Sequence, residues 1–199
     1  MKTVVIEAQL RDSVGKKSAS QVRKEEHVPC VLYGGETPVH FQAHYNVVRH
    51  AVYTNVFLKA EIKVGETAYS AIVKDVQFDP LSDKIRHIDF LQLTPGKKFR
   101  AQVPLRLVGV SKGVREGGSL VQKVRKVEVV TTPEAVVETI EVDITPLELG
   151  KSMRVRDIVV NADTQIVNAP AIPIITIDIP RALRSAQTKT ADTKKGKKK

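Results

Sequence analysis

Apolar and polar residues alternate along most of the chain, and that period of two predicts a mainly β protein. Val4, Ile6, Ala8 and Leu10 share one face of a first strand, with Val5, Glu7 and Gln9 on the other, and Gly15 ends it. Ser18 to His27 holds few β-branched residues and opens on a serine suited to capping, so a short helix is expected there. Val28, Cys30 and Leu32 then alternate up to the turn residues Gly34 and Gly35, and a short strand covers Pro38 to Gln42. Between His44 and Thr54 the spacing changes: Tyr45, Val48 and Val52 recur every three or four residues, as on an amphipathic helix. Two strands follow, one with Val56, Leu58, Ala60, Ile62 and Val64 on one face, the other from Ala68 to Phe78. A last strand, Lys84 to Leu93, sets Ile88 and Phe90 on one side and His87 and Asp89 on the other.

Thr94-Pro95-Gly96 interrupts this pattern, and a new alternating run, Phe99 to Val110, begins beyond it. A domain boundary is therefore expected near residue 96, giving domains 1–96 and 97–183. The second half continues with a glycine-rich basic loop, Ser111 to Ser119, then strands around Leu120 to Thr131 and Val136 to Ile144. Pro146 to Val160 suggests a compact loop or helical turn, and Ile172 to Ile179 a final strand. No repeat of solenoid period is present.

Composition narrows the possibilities. With 42% hydrophobic residues the chain can form a core, so it is not wholly disordered. No run approaches the roughly 18 to 20 apolar residues that cross a bilayer, so no membrane association is expected. Cys30, the single cysteine, can form neither an internal disulfide nor a cysteine-based zinc site.

The net charge of +10 is concentrated in two places. Residues 184–199 carry seven basic residues against Asp192 and almost nothing apolar, so a disordered Lys-rich tail is expected. Arg11, Lys16, Lys17, Arg23 and Lys24 lie within fourteen residues opposed only by Asp12, whereas residues 1–96 as a whole are nearly neutral, with twelve basic and eleven acidic side chains. A local cluster on a neutral domain suits either a localised anionic partner or a solvated helix face.

Catalytic signatures are weak. His87 and Asp89 project side by side, but no serine or cysteine is linked to them by a nucleophile motif. His40 and His44 have a metal-site spacing only if one helix carries both, and Gln42 and Ala43 stand where a metalloprotease would place its acid. The glycines of Gly109 to Gly118 lack the Gly-Lys-Ser/Thr ending of a nucleotide loop. The expectation is a protein that is not an enzyme, with no cofactor, no metal and no small-molecule substrate. Aromatics are 5% and tryptophan is absent, so shape and phosphate recognition of a structured RNA duplex suits the chain better than stacking on single-stranded bases.

Three separated motifs carry a family resemblance. Arg11, Gly15-Lys16, Arg23 and Val28-Pro29-Cys30-Val31-Leu32-Tyr33-Gly34 are followed by Lys74-Asp75-Val76-Gln77 and then His87-Ile88-Asp89-Phe90. In order and spacing they resemble the bacterial large-subunit ribosomal protein family called "L twenty-five". Val103-Pro104-Leu105, Gly117-Gly118-Ser119-Leu120, Ile140-Glu141-Val142-Asp143 and Leu149-Gly150-Lys151-Ser152 resemble the extension of its long CTC, or general stress protein, form. The resemblance implies an N-terminal antiparallel β-barrel with short helices that binds 5S ribosomal RNA, beside a mostly β C-terminal domain, at the central protuberance of a cytoplasmic ribosome's large subunit.

Carried over by position, the resemblance places Arg11, Lys16 and Arg23 on the RNA backbone and Tyr33, Gln77, His87 and Asp89 against the minor groove. Ser20 and Gln21 stand where the family commonly has basic residues, and Ser20 is retained as a hydrogen-bonding contact. A carboxylate gains nothing from a phosphate, but it can accept from guanine amino groups or ribose 2′-hydroxyls, so Asp89 reads the groove while His87 either donates to RNA or holds the carboxylate. If roughly four phosphates are neutralised, the log–log salt slope of binding is about −3 to −4. Neighbouring ribosomal proteins are the expected partners of the C-terminal domain. A stress-related protein adaptor with nonspecific polyanion affinity is the alternative, and a metal-dependent hydrolase using the histidines a third.

Overall fold

The computed structural model describes residues 1–160 and 162–180, and the basic tail expected over 184–199 lies outside them. The described chain is mainly β and divides into two units: Met1–Val103 with Val130–Glu138, and Pro104–Val129 with the residues from Thr139 onward.

In the first unit six strands close a barrel: β1 (Thr3–Leu10), β2 (His27–Tyr33), β3 (Val39–His44), β4 (Lys59–Val64), β5 (Thr67–Phe78) and β6 (Ile85–Gln92), in the order β1-β3-β2-β6-β5-β4. The expectation of an antiparallel barrel holds for four of the six pairings. The pairings β1 with β4 and β2 with β6 are parallel. Parallel neighbours need a long connection, which the hairpins and helices between these strands supply. The barrel is filled by Ile6, Leu32, Phe41, Ile62, Ile88 and Phe90, all 1% exposed or less. Helix α2 (Tyr45–Val52) adds Val48 to the same cluster and is capped by His44, whose Nδ1 accepts from the Asn46 amide at 3.3 Å.

Helix α1 (Lys16–Lys24) begins two residues before the expected serine and ends before His27, which opens β2. Its N-cap is Gly15 at φ 127°, a conformation costly for any side chain, so glycine rather than Ser18 sets the start. Leu10, the last residue of β1, is 63% exposed although its register partner Phe41 is fully buried. Val56 and Leu58 precede β4 rather than lining it, and Phe57 between them is buried.

Residues 130–138 belong to the first unit. The Phe57 amide donates to the Glu138 carbonyl at 2.9 Å, the Lys2 amide to the Glu138 carboxylate at 2.6 Å, and Val136 packs on a cluster of Phe57, Ile72, Leu93, Phe99 and Ala101. The strand expected over Val136 to Ile144 is accordingly shorter, Ile140–Asp143.

The remaining strands form two sheets. Strands β7 (Phe99–Val108), β9 (Lys126–Thr131), β10 (Ile140–Asp143) and β12 (Gln165–Ile166) form one in the order β10-β7-β9-β12; β8 (Ser119–Gln122), β11 (Ser152–Arg154) and β13 (Pro173–Asp178) form the other in the order β11-β13-β8. Central β13 buries Ile174, Ile175 and Ile177 completely. The glycine-rich loop contains a short helix, α3 (Lys112–Arg115), capped by Ser111. A Cβ on Gly113 would lie 2.6 Å from the Leu149 nitrogen, so that glycine answers to packing.

Candidate RNA interface

The expected site residues lie on β2, β5 and β6 and on α1 with the loop before it, all in the first unit. Two bulges shape the strands. Between Val73↔Phe90 and Asp75↔Asp89 the register of β5 against β6 shifts, leaving Lys74 as an extra residue. Regular alternation would send Asp75 the same way as Val73, which packs into the barrel; the bulge turns Asp75 and Gln77 outward instead. They lie opposite Asp89 and His87 respectively. A second shift, between Gln77↔His87 and Phe78↔Ile85, leaves Arg86 as the extra residue on β6.

On the outer face His87 Nδ1 lies 2.8 Å from Asp89 Oδ1, with the two side chains 24% and 36% exposed. The ring N–H donates to the carboxylate, which leaves Nε2 as the ring atom available to a ligand. Asp89 is paired in register with Val31, two residues before Tyr33 on the neighbouring strand. Burial first, then the carboxylates of Asp89 and Asp75, raise the Tyr33 phenol above its ordinary value. Tyr33, Gln77, His87 and Asp89 thus lie on three neighbouring strands, with Asp75 opposite Asp89. Two carboxylates directly opposite on adjacent strands repel each other. His87 supports one, and the Val76 amide donates to the other at 2.9 Å.

The cations approach from α1. Lys16, Ser20 and Arg23 are spaced four and three residues apart on one helix face. The first turn contains lysines and no acidic residue, the unfavourable sign for a helix N-terminus, and no side chain caps it. Arg23 Nε donates to the Arg86 carbonyl at 3.0 Å, the backbone group displaced by the second bulge, and so ties the helix to the strand carrying His87 and Asp89. Burial, then the guanidinium groups of Arg86 and Arg11, lower the Arg23 pKa. Arg11 Nη2 donates to Ser18 Oγ at 3.1 Å and to the Ser13 carbonyl at 3.3 Å, bracing the loop that leads into the helix. Part of its donor capacity is thus structural.

Sequence alternation missed two members of this surface, Asp75 and Arg86. Asp75 stands in one of the quoted motifs but is given no role there, and nothing in the composition marks a bulge. His40 sits on β3 and His44 ends it, and no group of three or more metal-ligating side chains occurs among the described residues. None of their helices is long and apolar enough to cross a membrane. Cys30 is fully buried and its thiol pKa is raised by burial.

Two protein families match the chain: the family described as "Ribosomal L25p family" over residues 6–90, and "Ribosomal protein TL5, C-terminal domain" over residues 98–181. A relative from Cytophaga hutchinsonii, "Large ribosomal subunit protein bL25", is 39% identical across 96% of this chain and 99% of its own length. Proteins of the same description from Amoebophilus asiaticus and Porphyromonas gingivalis are 37% identical over 100% of both chains and 36% identical over 95% and 99%.

Proposed function

The chain belongs to the bL25 family of large-subunit ribosomal proteins, in the long form with a TL5-type C-terminal domain, and from that premise we propose that its barrel binds 5S ribosomal RNA at the central protuberance. It is a structural component of the ribosome and not an enzyme. The carrying observation is the outward carboxylate surface: Asp89 held by His87 at 2.8 Å, with Asp75 and Gln77 turned to the same side by a bulge. Phosphates are repelled by such a surface, whereas the wide minor groove of an A-form helix offers it 2′-hydroxyl and amino donors. Lys16, Arg23 and Arg11, with Ser20 as a neutral contact, hold the flanking phosphates. Tyr33 and Gln77 complete the groove contact. Residues 97–183 face neighbouring ribosomal proteins in this reading.

The test is a titration of the full chain with 5S ribosomal RNA and with an unrelated hairpin of equal length, at a salt concentration of about 0.15 M. More than tenfold tighter binding to 5S RNA, on the order expected of groove recognition, is the anticipated result. Equal affinity for the two would reduce the interaction to general electrostatics and overturn the assignment.

A further inference from the structure

Beside the carboxylate surface lies a groove of about 570 Å³, walled by α1, the starts of β2 and α2, and the β5–β6 turn. Ser20, Arg23, Lys24, Asn46, Lys84 and Arg86 are among the residues that line it. Four cations thus face Glu26 and Asp79. Asp79 is committed to the turn, where its Oδ1 accepts from the amides of Leu81 and Ser82 at 3.0 and 3.1 Å. Arg86 Nη1 approaches Asp79 Oδ2 only to 3.6 Å, outside hydrogen-bond range, and the Arg86 side chain is 51% exposed.

We propose that this groove is a second phosphate seat, in which Lys84 at the end of the β5–β6 turn and Arg86 on β6, with Lys24 across from them, hold backbone phosphates of the RNA beyond those gripped by the exposed face of α1. The inference rests on the RNA-binding reading and extends it to residues that the family motifs did not supply. Geometry carries it. The bulge at Arg86 puts its carbonyl under Arg23 and its side chain on the groove wall, immediately before His87 in the chain, so an RNA helix seated on His87 and Asp89 passes its backbone over the groove. Ser20 and Ser82 add neutral donors on the lining, and a phosphodiester accepts from hydroxyls and guanidinium groups alike. The crowding of Arg23 by Arg86 and Arg11 acts in the same direction, because an anion between them relieves a repulsion that the protein leaves in place.

The experiment measures the salt dependence of 5S RNA binding for the full chain and its Lys84→Gln/Arg86→Gln variant. Removing one cation that neutralises a phosphate flattens the log–log slope by about one unit, so the double variant should be flatter by about two. The carbonyl that receives Arg23 belongs to the backbone and survives the substitution. A Lys24→Gln/Lys84→Gln variant leaves the Asp79–Arg86 approach untouched and should flatten the slope equally if any loss of fold in the first variant obscures its result. Wild-type slopes in both variants would overturn the second seat, while a flatter Arg23→Ala slope in the same series would leave the main reading standing. Should the wild-type protein fail to prefer 5S RNA over the unrelated hairpin, the main reading falls and the seat falls with it. Titration with inorganic phosphate, followed by amide chemical shifts, identifies the source: shifts at the groove together with unchanged RNA slopes would mean a free-anion site and also overturn the proposal.

Discussion

The outer face of β5 and β6 has two ends built from the same strands and opposite in character. At one end Ile72, Leu91 and Leu93 are covered by Phe57, Phe99, Ala101 and Val136, a small second core outside the barrel. At the other, beyond the bulge at Lys74, the same face carries Asp75, Gln77, His87 and Asp89 and stays open. A strand face left to itself must be either roofed or wet. Here the chain roofs one end with its own residues 130–138 and with the start of β7, and leaves open the end proposed to meet RNA. In the proposed reading, stability and recognition are thus separated along a single pair of strands.

The largest expected effect is on the roofed end. Phe99→Ala opens a cavity beneath Val136 and should lower unfolding free energy by about 3 kcal/mol in a denaturant titration, with RNA affinity of the folded protein unchanged. Asp89→Ala should do the reverse. Unfolding free energy should move by less than about 0.5 kcal/mol, since the residue is partly exposed and its loss also relieves the repulsion with Asp75. Affinity for 5S RNA should fall by roughly tenfold to a hundredfold, the value of hydrogen bonds to a charged group, with an unchanged salt slope. A large fall in stability with intact binding would merge the two ends again.

Next comes Arg23→Ala, which removes one cation proposed to bind phosphate and the tie to the Arg86 carbonyl. Binding isotherms across a salt series should flatten by about one unit. An unchanged slope would confine Arg23 to holding helix and strand together. The smallest effect is a gain: Ser20→Arg restores a cation on the helix face shared by Lys16 and Arg23 and should steepen the slope by about one unit. No steepening would mean that this turn of α1 does not face phosphate.

Much of the arrangement was legible in residue order. Alternation located the barrel strands because each buries one face, and the three to four residue spacing from Tyr45 to Val52 located α2. His87 and Asp89 were placed on the outer face by counting from Ile88 and Phe90. What escaped was non-local or sub-periodic. The parallel pairings depend on closure of the barrel, and the start of α1 depends on a positive φ at Gly15. The roof is formed by Val136 and Glu138, far along the chain from Phe57, so alternation alone extended a strand through them. The bulges at Lys74 and Arg86 are hydrogen-bonding choices with no compositional mark, and the two site residues missed from sequence, Asp75 and Arg86, are the ones they aim.

The most direct test of the separation between grip and reading is the ratio of affinities for 5S RNA over an unrelated hairpin, measured at several salt concentrations for the wild-type chain and Asp89→Ala. Phosphate contacts are common to both RNAs and cancel in the ratio, so the wild-type ratio should stay nearly constant with salt and drop toward one in the variant. A ratio that collapses with added salt, or that Asp89→Ala leaves intact, would contradict the account.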